Sequence, residues 1–203
     1  MTPEELEQWF NEDESVSTEA VNEGELEFLL EPPVKPVLHS INSLTITEDS
    51  IDSGWVLLEQ CYKNLDPIAK ADVAFRYTSM RGLTITAHQN IDQLGIRGQS
   101  VQLTNIKPDA ELCIRAEVRI LSNNHNGTFS LNNGPFHRKF LDGFYPFHIT
   151  LNIDYPASLL KSIQISPQQQ AGFNISRSAG SILIDSYFAG MLSIEIIFQS
   201  HQL

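Results

Sequence analysis

The sequence predicts an all-β protein: an antiparallel β-sandwich, or two packed sandwich-like modules, with a disordered acidic N-terminal tail. Three observations support this fold class. From about residue 37 onward, apolar and polar residues alternate, as they do in strands that bury one face. Asp, Gly, Asn and Pro residues interrupt the alternating segments at the places where turns are needed. Acidic residues, finally, are concentrated at the start of the chain.

The first 35 residues are predicted to be an acidic, poorly ordered tail. Residues 1–31 contain ten Glu and one Asp without Lys or Arg, a charge of −11, whereas the remaining residues sum to −1. Dense like charge keeps such a segment solvated, and the prolines at 32, 33 and 36 favour an extended exit into the body. The alternative is an acidic, partly apolar segment that folds onto a partner, or onto the body, with Trp9 and Phe28 as anchors.

Three further regions follow the tail: a β-sandwich module at residues 36–121, a hairpin and joint at 122–146, and an antiparallel meander at 147–203. The clearest strand is ELCIRAEVRIL, in which every second residue from Leu112 to Ile120 is apolar. In the joint, Asn126-Gly127 predicts a type I′ hairpin turn. The meander is predicted from apolar residues at alternate positions: Phe147, Ile149, Leu151, Ile153, Ile163, Ile165, Phe173, Ile175, Ile182, Ile184, Leu192, Ile194, Ile196 and Phe198.

The two cysteines, Cys61 and Cys113, are predicted to form a disulfide. The alternation places Cys113 on the same face as Arg115 and Glu117, where a buried free thiol is not expected. A bond to Cys61 explains this position and implies an oxidising compartment. The alternative is two free thiols in a cytosolic protein whose polar face is covered. An immunoglobulin-like sandwich fits the class, although Trp55 precedes Cys61 and should follow it in the immunoglobulin pattern.

A cluster of aromatic and basic residues in the stretch NNGPFHRKFLDGFYP is the predicted interaction surface. Aromatic and Arg side chains are common anchors of protein interfaces, so we expect an acidic protein or peptide partner here, or the acidic tail of the same chain. The alternative is a core shared by the two modules, with Arg138 and Lys139 as its solvated edge. The residues are Phe136, His137, Arg138, Lys139, Phe140, Phe144 and Tyr145.

The chain lacks the known catalytic signatures, so we expect a non-catalytic binding or structural module without cofactor or metal. The competing expectation is an enzyme that uses His137, Asp142 and His148, with or without a bound metal, because histidine and carboxylate together support acid–base chemistry.

The composition excludes nucleic acid as a partner and a helix that spans a membrane. Without a basic stripe, the chain is not expected to bind nucleic acid, and its apolar runs are far shorter than the ~20 residues of a membrane-spanning helix. The start of the chain shows no secretory signal pattern, which fits a mature form or a cytoplasmic protein. The expected disulfide favours a periplasmic or secreted location, with the cytoplasm as the alternative.

Overall fold

The computed structural model describes residues 22–140 and 143–201, and these residues form an almost entirely β structure. The sequence-predicted fold class is therefore confirmed. The strands are β1 (Glu27–Phe28), β2 (His39–Thr45), β3 (Trp55–Leu65), β4 (Lys70–Ala74), β5 (Met80–Arg97), β6 (Ser100–Arg119), β7 (Leu121–Asn123), β8 (Thr128–Phe136), β9 (Arg138–Phe140), β10 (Gly143–Tyr145), β11 (Phe147–Asp154), β12 (Leu160–Ser166), β13 (Phe173–Ser178), β14 (Ser181–Ala189) and β15 (Leu192–Ser200).

Two sheets share one core. The nine-stranded sheet has the order β1-β14-β11-β2-β3-β6-β4, with β13 on β14 and β5 on β6, and the four-stranded sheet has the order β12-β15-β8-β7. Buried side chains of both sheets, such as Leu58 and Val118 from one and Leu131 and Ile196 from the other, belong to a single hydrophobic cluster. This shared core is the arrangement of a sandwich, in which inward-facing residues alternate with outward-facing ones.

Strands from both sides of the predicted joint share these sheets. β2 pairs with β11 in parallel, and β8 pairs with β15 antiparallel. The strands after residue 147 are therefore not a simple meander: β11, β13 and β14 belong to the larger sheet, whereas β12 and β15 belong to the smaller one. Because both sheets belong to a two-layer sandwich, each of these strands buries one face against the other layer, and this explains their strong alternation.

Most of the predicted inward positions are buried, but Ile163 is not. Its neighbour in the pattern, Ile165, is 2% exposed, whereas Ile163 is 47% exposed. The pairing of β12 with β15 shifts register between Ser162 and Gln164, so a β-bulge turns Ile163 out of the alternation. The predicted core position of Ile163 is thus wrong.

One local prediction, the hairpin turn at Asn126-Gly127, needs correction. Residues 129–131 do pair back on β7, but the connection spans residues 124–127, and the positive φ angles are those of His125 (58°) and Gly127 (79°). This pattern is not the type I′ turn expected of Asn126-Gly127, in which both central residues have positive φ.

The segment EDSIDS forms the helix α1 (Glu48–Ser53), which the sequence pattern did not indicate. The Thr47 amide donates to Ser50 Oγ at its start (2.9 Å), and Gly54, with a φ of 74°, ends it. Six residues are too few to show a helical period, which is why the sequence pattern missed it.

Cys61 and Cys113 form the predicted disulfide. They lie directly opposite each other on β3 and β6, with their Cα atoms 4.0 Å apart. The alternation placed Cys113 on the face opposite Leu112 and Ile114, and the structure shows both of these neighbours buried while Cys113 is only partly buried. The bond therefore ties adjacent strands of the larger sheet together on the face away from the core.

Candidate binding surface

A separate two-stranded sheet carries most of the predicted interaction residues. β9 and β10 pair antiparallel, with Phe144 opposite Lys139 and Tyr145 opposite Arg138. We call this pair, residues 138–140 and 143–145, the aromatic hairpin. It lies between β8 of the smaller sheet and β11 of the larger one along the chain.

Arg138 is held by an ion pair within the protein. Its Nε and Nη2 donate to the two carboxylate oxygens of Asp66, at 3.2 and 2.5 Å. Only 18% of the Arg138 side chain and 30% of the Asp66 side chain is exposed. The guanidinium also lies 5.3 Å from the ring centre of Phe140 and 5.7 Å from that of Tyr145. Arg138 therefore orders the hairpin. It is not the solvated edge residue that the alternative interpretation expected.

Lys139 and Phe140 are the exposed residues of β9. Lys139 is exposed, and its Nζ lies 5.2 Å from the ring centre of Phe144. Phe140 remains 40% exposed although it packs edge-to-face on Tyr145. Within the described part of the chain, Lys139 has no carboxylate partner, in contrast to its neighbour Arg138. The exposed cation over Phe144 and the exposed ring of Phe140 are thus both available to a partner.

The described end of the acidic segment lies against this hairpin. The Phe144 amide donates to the Asn22 carbonyl at 3.0 Å, and Gly24 approaches the Phe144 ring so closely that an added Cβ would lie 3.0 Å from it. Further along, Phe28 packs against Phe173 with ring centres 4.9 Å apart. Phe28 is therefore an anchor, as one sequence interpretation proposed, while Trp9 lies outside the described residues.

The remaining two predicted residues, Phe136 and His137, line a cleft of about 300 Å³ beside the hairpin. The cleft opens between inner-face residues of β2, β3 and β11, the residues 133–137, and the segment 72–77. The His137 ring lies 6.0 Å from the Phe144 ring, edge-on, and its Nδ1 is buried without a hydrogen-bond partner among the described residues. The predicted set is thus divided between an exposed hairpin and an adjoining cleft.

A row of stacked rings crosses the outer face of the larger sheet. His148 lies between His39 and Tyr187, with ring centres 3.7 and 3.9 Å away. These residues occupy matching positions on β2, β11 and β14, because His39 pairs with His148 and His148 with Tyr187. The sequence pattern identified His148 but not the row of stacked rings, because His39 pairs with a strand more than a hundred residues away and this pairing leaves no local signal.

Hydrogen bonds join this row to a carboxylate. Thr150 Oγ1 donates to Asp185 Oδ2 (2.7 Å), so the 2.9 Å contact of His39 Nε2 with Thr150 Oγ1 requires that His39 donates. Burial, assisted by the nearby His148, lowers the pKa of His39 to about 4. The hydrogen bond from His148 lowers the pKa of Asp185. His39 is therefore a neutral imidazole at neutral pH, and Asp185 is ionised.

The histidines expected to form a catalytic cluster do not lie together. His137 lines the cleft with Phe147, whereas His148, the next residue after Phe147 on β11, lies on the opposite face of that strand. The third member, Asp142, lies outside the described residues. Across residues 22–140 and 143–201, no group of three or more His, Cys, Asp or Glu side chains is arranged to hold a metal ion.

Comparison with known proteins adds little to these observations. No family model matches the chain, and no curated protein matches it. A crystal structure of a mutant M1 zinc metallopeptidase from Deinococcus radiodurans, bound to a Tyr-Ser-Ala substrate, is similar over 88% of this chain and 43% of its own length, with 13% identity and a TM-score of 0.43. A mutant two-domain M1 zinc metallopeptidase bound to L-tryptophan gives 14% identity, a TM-score of 0.40, and 88% and 44% coverage.

The chain thus spans less than half the length of these metallopeptidases, and a likeness this weak carries no argument about function. Within the described residues, no helix is both long and apolar enough to cross a membrane.

Proposed function

We propose that this protein is a non-catalytic β-sandwich module that binds an acidic protein or peptide through the aromatic hairpin. One observation carries the proposal. The hairpin that the Arg138–Asp66 ion pair holds in place exposes Lys139, which has no carboxylate partner among the described residues, and the ring of Phe140, which is 40% exposed. Exposed rings next to a cation can anchor an acidic chain that also carries apolar residues.

The preorganisation of the hairpin supports a binding role. Arg138 is mostly buried and bonded at two positions, so the hairpin does not have to be ordered when a partner arrives. The segment that contains Asn22 and Gly24 already lies against Phe144, which supports the proposal that a peptide chain binds beside the hairpin. An external partner would contact Lys139 and Phe140, the exposed residues of β9.

A non-catalytic role is the better supported of the two expected classes. The residues that would carry acid–base chemistry are divided between the cleft and the outer face of the larger sheet. The disulfide further supports an oxidising compartment, so we place the protein in the periplasm or outside the cell.

Peptide display against the full chain tests the proposed function. We expect the enriched peptides to be acidic and to contain aromatic or aliphatic residues. Lys139→Glu and Phe140→Ala should each weaken their binding, because the first reverses the exposed charge and the second removes the exposed ring. Lys161→Glu is the matched control: it reverses another exposed lysine, on β12, and should leave binding unchanged. Enrichment without acidic preference, or equal binding to all three variants, would contradict the proposal.

A further inference from the structure

The cleft beside the hairpin is built as a small-ligand site. Its volume of about 300 Å³ is at the lower end of the range for such sites, roughly 300–1,000 Å³. Aromatic side chains form much of its wall, and the rings are those of Tyr62, Phe75, Tyr77, Phe136 and Phe147. Between them, polar side chains from both sheets converge on the same space, which is the usual composition of a specific pocket.

The most informative polar group in the cleft is Asn133. It is only 3% exposed, its Oδ1 accepts from the Tyr77 hydroxyl at 3.3 Å, and its Nδ2 has no partner among the described residues. A buried donor without an acceptor destabilises a fold unless something satisfies it. An acceptor atom on a ligand in the cleft would satisfy this amide nitrogen.

A second polar group faces the cleft from the larger sheet. Gln60 Nε2 donates to Ser40 Oγ (2.9 Å) and to the Tyr62 hydroxyl (2.7 Å), so the Tyr62 oxygen acts as an acceptor and its own proton is left for another acceptor. Burial raises the pKa of Tyr62 and raises that of Tyr77 to about 12, so both hydroxyls stay protonated. The cleft thus offers neutral groups that can donate and accept.

The charges at the cleft are balanced. Asp72 and Arg76 both line it, both are exposed, and neither forms an ion pair within the described part of the chain. An anionic ligand would be attracted by Arg76 and repelled by Asp72, and a cationic ligand would meet the reverse. A neutral ligand whose groups both donate and accept can use the carboxylate and the guanidinium together.

We propose that this cleft binds a neutral polyhydroxylated ring, that is, a sugar. Its hydroxyl groups supply the acceptor for Asn133 Nδ2 and both donors and acceptors for Asp72 and Arg76, while the C–H faces of its ring pack against the aromatic wall. The inference rests on residues outside the aromatic hairpin, so it can hold or fail separately from the proposed peptide-binding function.

The test is a titration of the ¹⁵N-labelled full chain with D-glucose, D-galactose and N-acetyl-D-glucosamine, followed by amide NMR. We expect at least one of them to give saturable shifts confined to residues 72–77 and 133–137. D-glucuronate and D-glucosamine, which carry a charge, should bind at least several-fold more weakly than that sugar. Absence of saturation with all three neutral sugars would overturn the inference, and so would tighter binding of either charged sugar.

A variant separates a ligand role from a structural one. The double change Tyr77→Phe with Asn133→Leu removes both partners of the buried hydrogen bond, which is nearly neutral or favourable for stability. We therefore expect sugar affinity to fall at least tenfold while the unfolding temperature stays the same or rises. Ser162→Ala is the control, because it removes another buried unpartnered polar atom outside the cleft lining and should leave sugar affinity unchanged.

Arg76→Gln keeps the inference testable if the double variant does not fold, since this side chain is exposed at the cleft. We expect it to weaken sugar binding several-fold, whereas Arg97→Gln, an exposed arginine on β5 outside the cleft lining, should not. If sugar affinity is unchanged both in Arg76→Gln and in the double variant, the proposal is overturned.

Discussion

At the scale of single residues, the disulfide shows that the alternation of side chains between the two faces of a strand can predict a bond. Cys113 lies on the partly exposed face of β6, with Leu112 and Ile114 buried on the other. This single fact of alternation was enough to predict the bond, because a free thiol on that face has no packing role. The partner followed from there being only two cysteines in the chain.

We predict that replacing Cys61 and Cys113 together with Ala lowers the free energy of unfolding by up to about 4 kcal/mol, because the bond closes a loop of about fifty residues in the unfolded chain. Denaturant unfolding of the variant, compared with the oxidised protein, measures this. The reduced wild-type protein is the control and should show a similar loss. An unchanged unfolding midpoint in both would mean that the bond does not constrain the unfolded chain.

His39 is expected to make the stability of the folded protein depend on pH. Its pKa in the folded protein, about 4, is below the ordinary value of 6.5, so between these values the unfolded chain binds a proton that the folded one does not. Stability should therefore fall as the pH drops from about 6.5 to about 4. Asp185, whose pKa is also lowered, adds a further loss in acid as it is protonated.

The measurement is the unfolding temperature of His39→Gln across this pH range. Gln can still donate to Thr150, but it does not titrate, so the variant should show a flatter profile than the wild type. His88→Gln, which replaces an exposed histidine on β5, should keep the wild-type profile. Equal slopes for all three proteins would rule out His39 as the source of the pH dependence.

At the scale of elements, β1 depends on a close approach at one glycine. Gly190 has a φ of 89°, and a Cβ added there would lie 2.0 Å from the Glu25 carbonyl oxygen. β1 itself is only two residues long and pairs with Phe188 and Ala189 of β14. The docking of residues 25–29 on the larger sheet therefore requires glycine at position 190.

Gly190→Ala should detach this segment. We expect faster hydrogen exchange at the Leu29 amide, which donates to the Tyr187 carbonyl at 2.8 Å. Gly82→Ala is a close control, because Gly82 also has a positive φ, 64°, but nothing lies within 4 Å of its added Cβ. Both variants carry a backbone cost of about 1 kcal/mol, so protection at Leu29 that is equal in both would contradict the steric role of Gly190.

The elements also show why part of this fold could not be read from the sequence. Period-2 alternation identified the strands because each buries one face, as Leu112 and Ile114 do on β6. Alternation carries no information on partners, however, so the parallel pairing of His39 with His148 was invisible. It also fails where the register slips: Ile163 follows the pattern but is turned outward by a bulge.

The candidate site was predictable in composition but not in arrangement. Aromatic and basic residues at 136–145 were recognised as a cluster, and each of the seven contacts another member or lines the cleft. What could not be foreseen was the partner of Arg138, because Asp66 lies 72 positions earlier in the chain. Asn133, Gln60 and Tyr62 gave no signal either, since a polar residue in a strand ordinarily indicates the solvent-facing side.

At the scale of the whole molecule, nearly all of the net negative charge lies in the first 31 residues, and this affects how an acidic partner would bind. The first 31 residues carry −11 and the remainder about −1, and the described end of the acidic segment reaches Phe144 of the aromatic hairpin. An acidic partner would thus approach a surface that already has acidic chain beside it. Exposed ion pairs contribute only about 0–1 kcal/mol each, so Phe140 must supply much of the affinity.

The most direct test of the peptide-binding proposal is a charge exchange measured by calorimetry. An acidic peptide selected on the full chain should bind Lys139→Glu roughly tenfold more weakly, a difference of about 1.4 kcal/mol. The same peptide with its acidic residues replaced by Lys should recover affinity for Lys139→Glu and lose it for the wild type. If both peptides bind both proteins equally, the aromatic hairpin is not the binding surface and the proposed function is wrong.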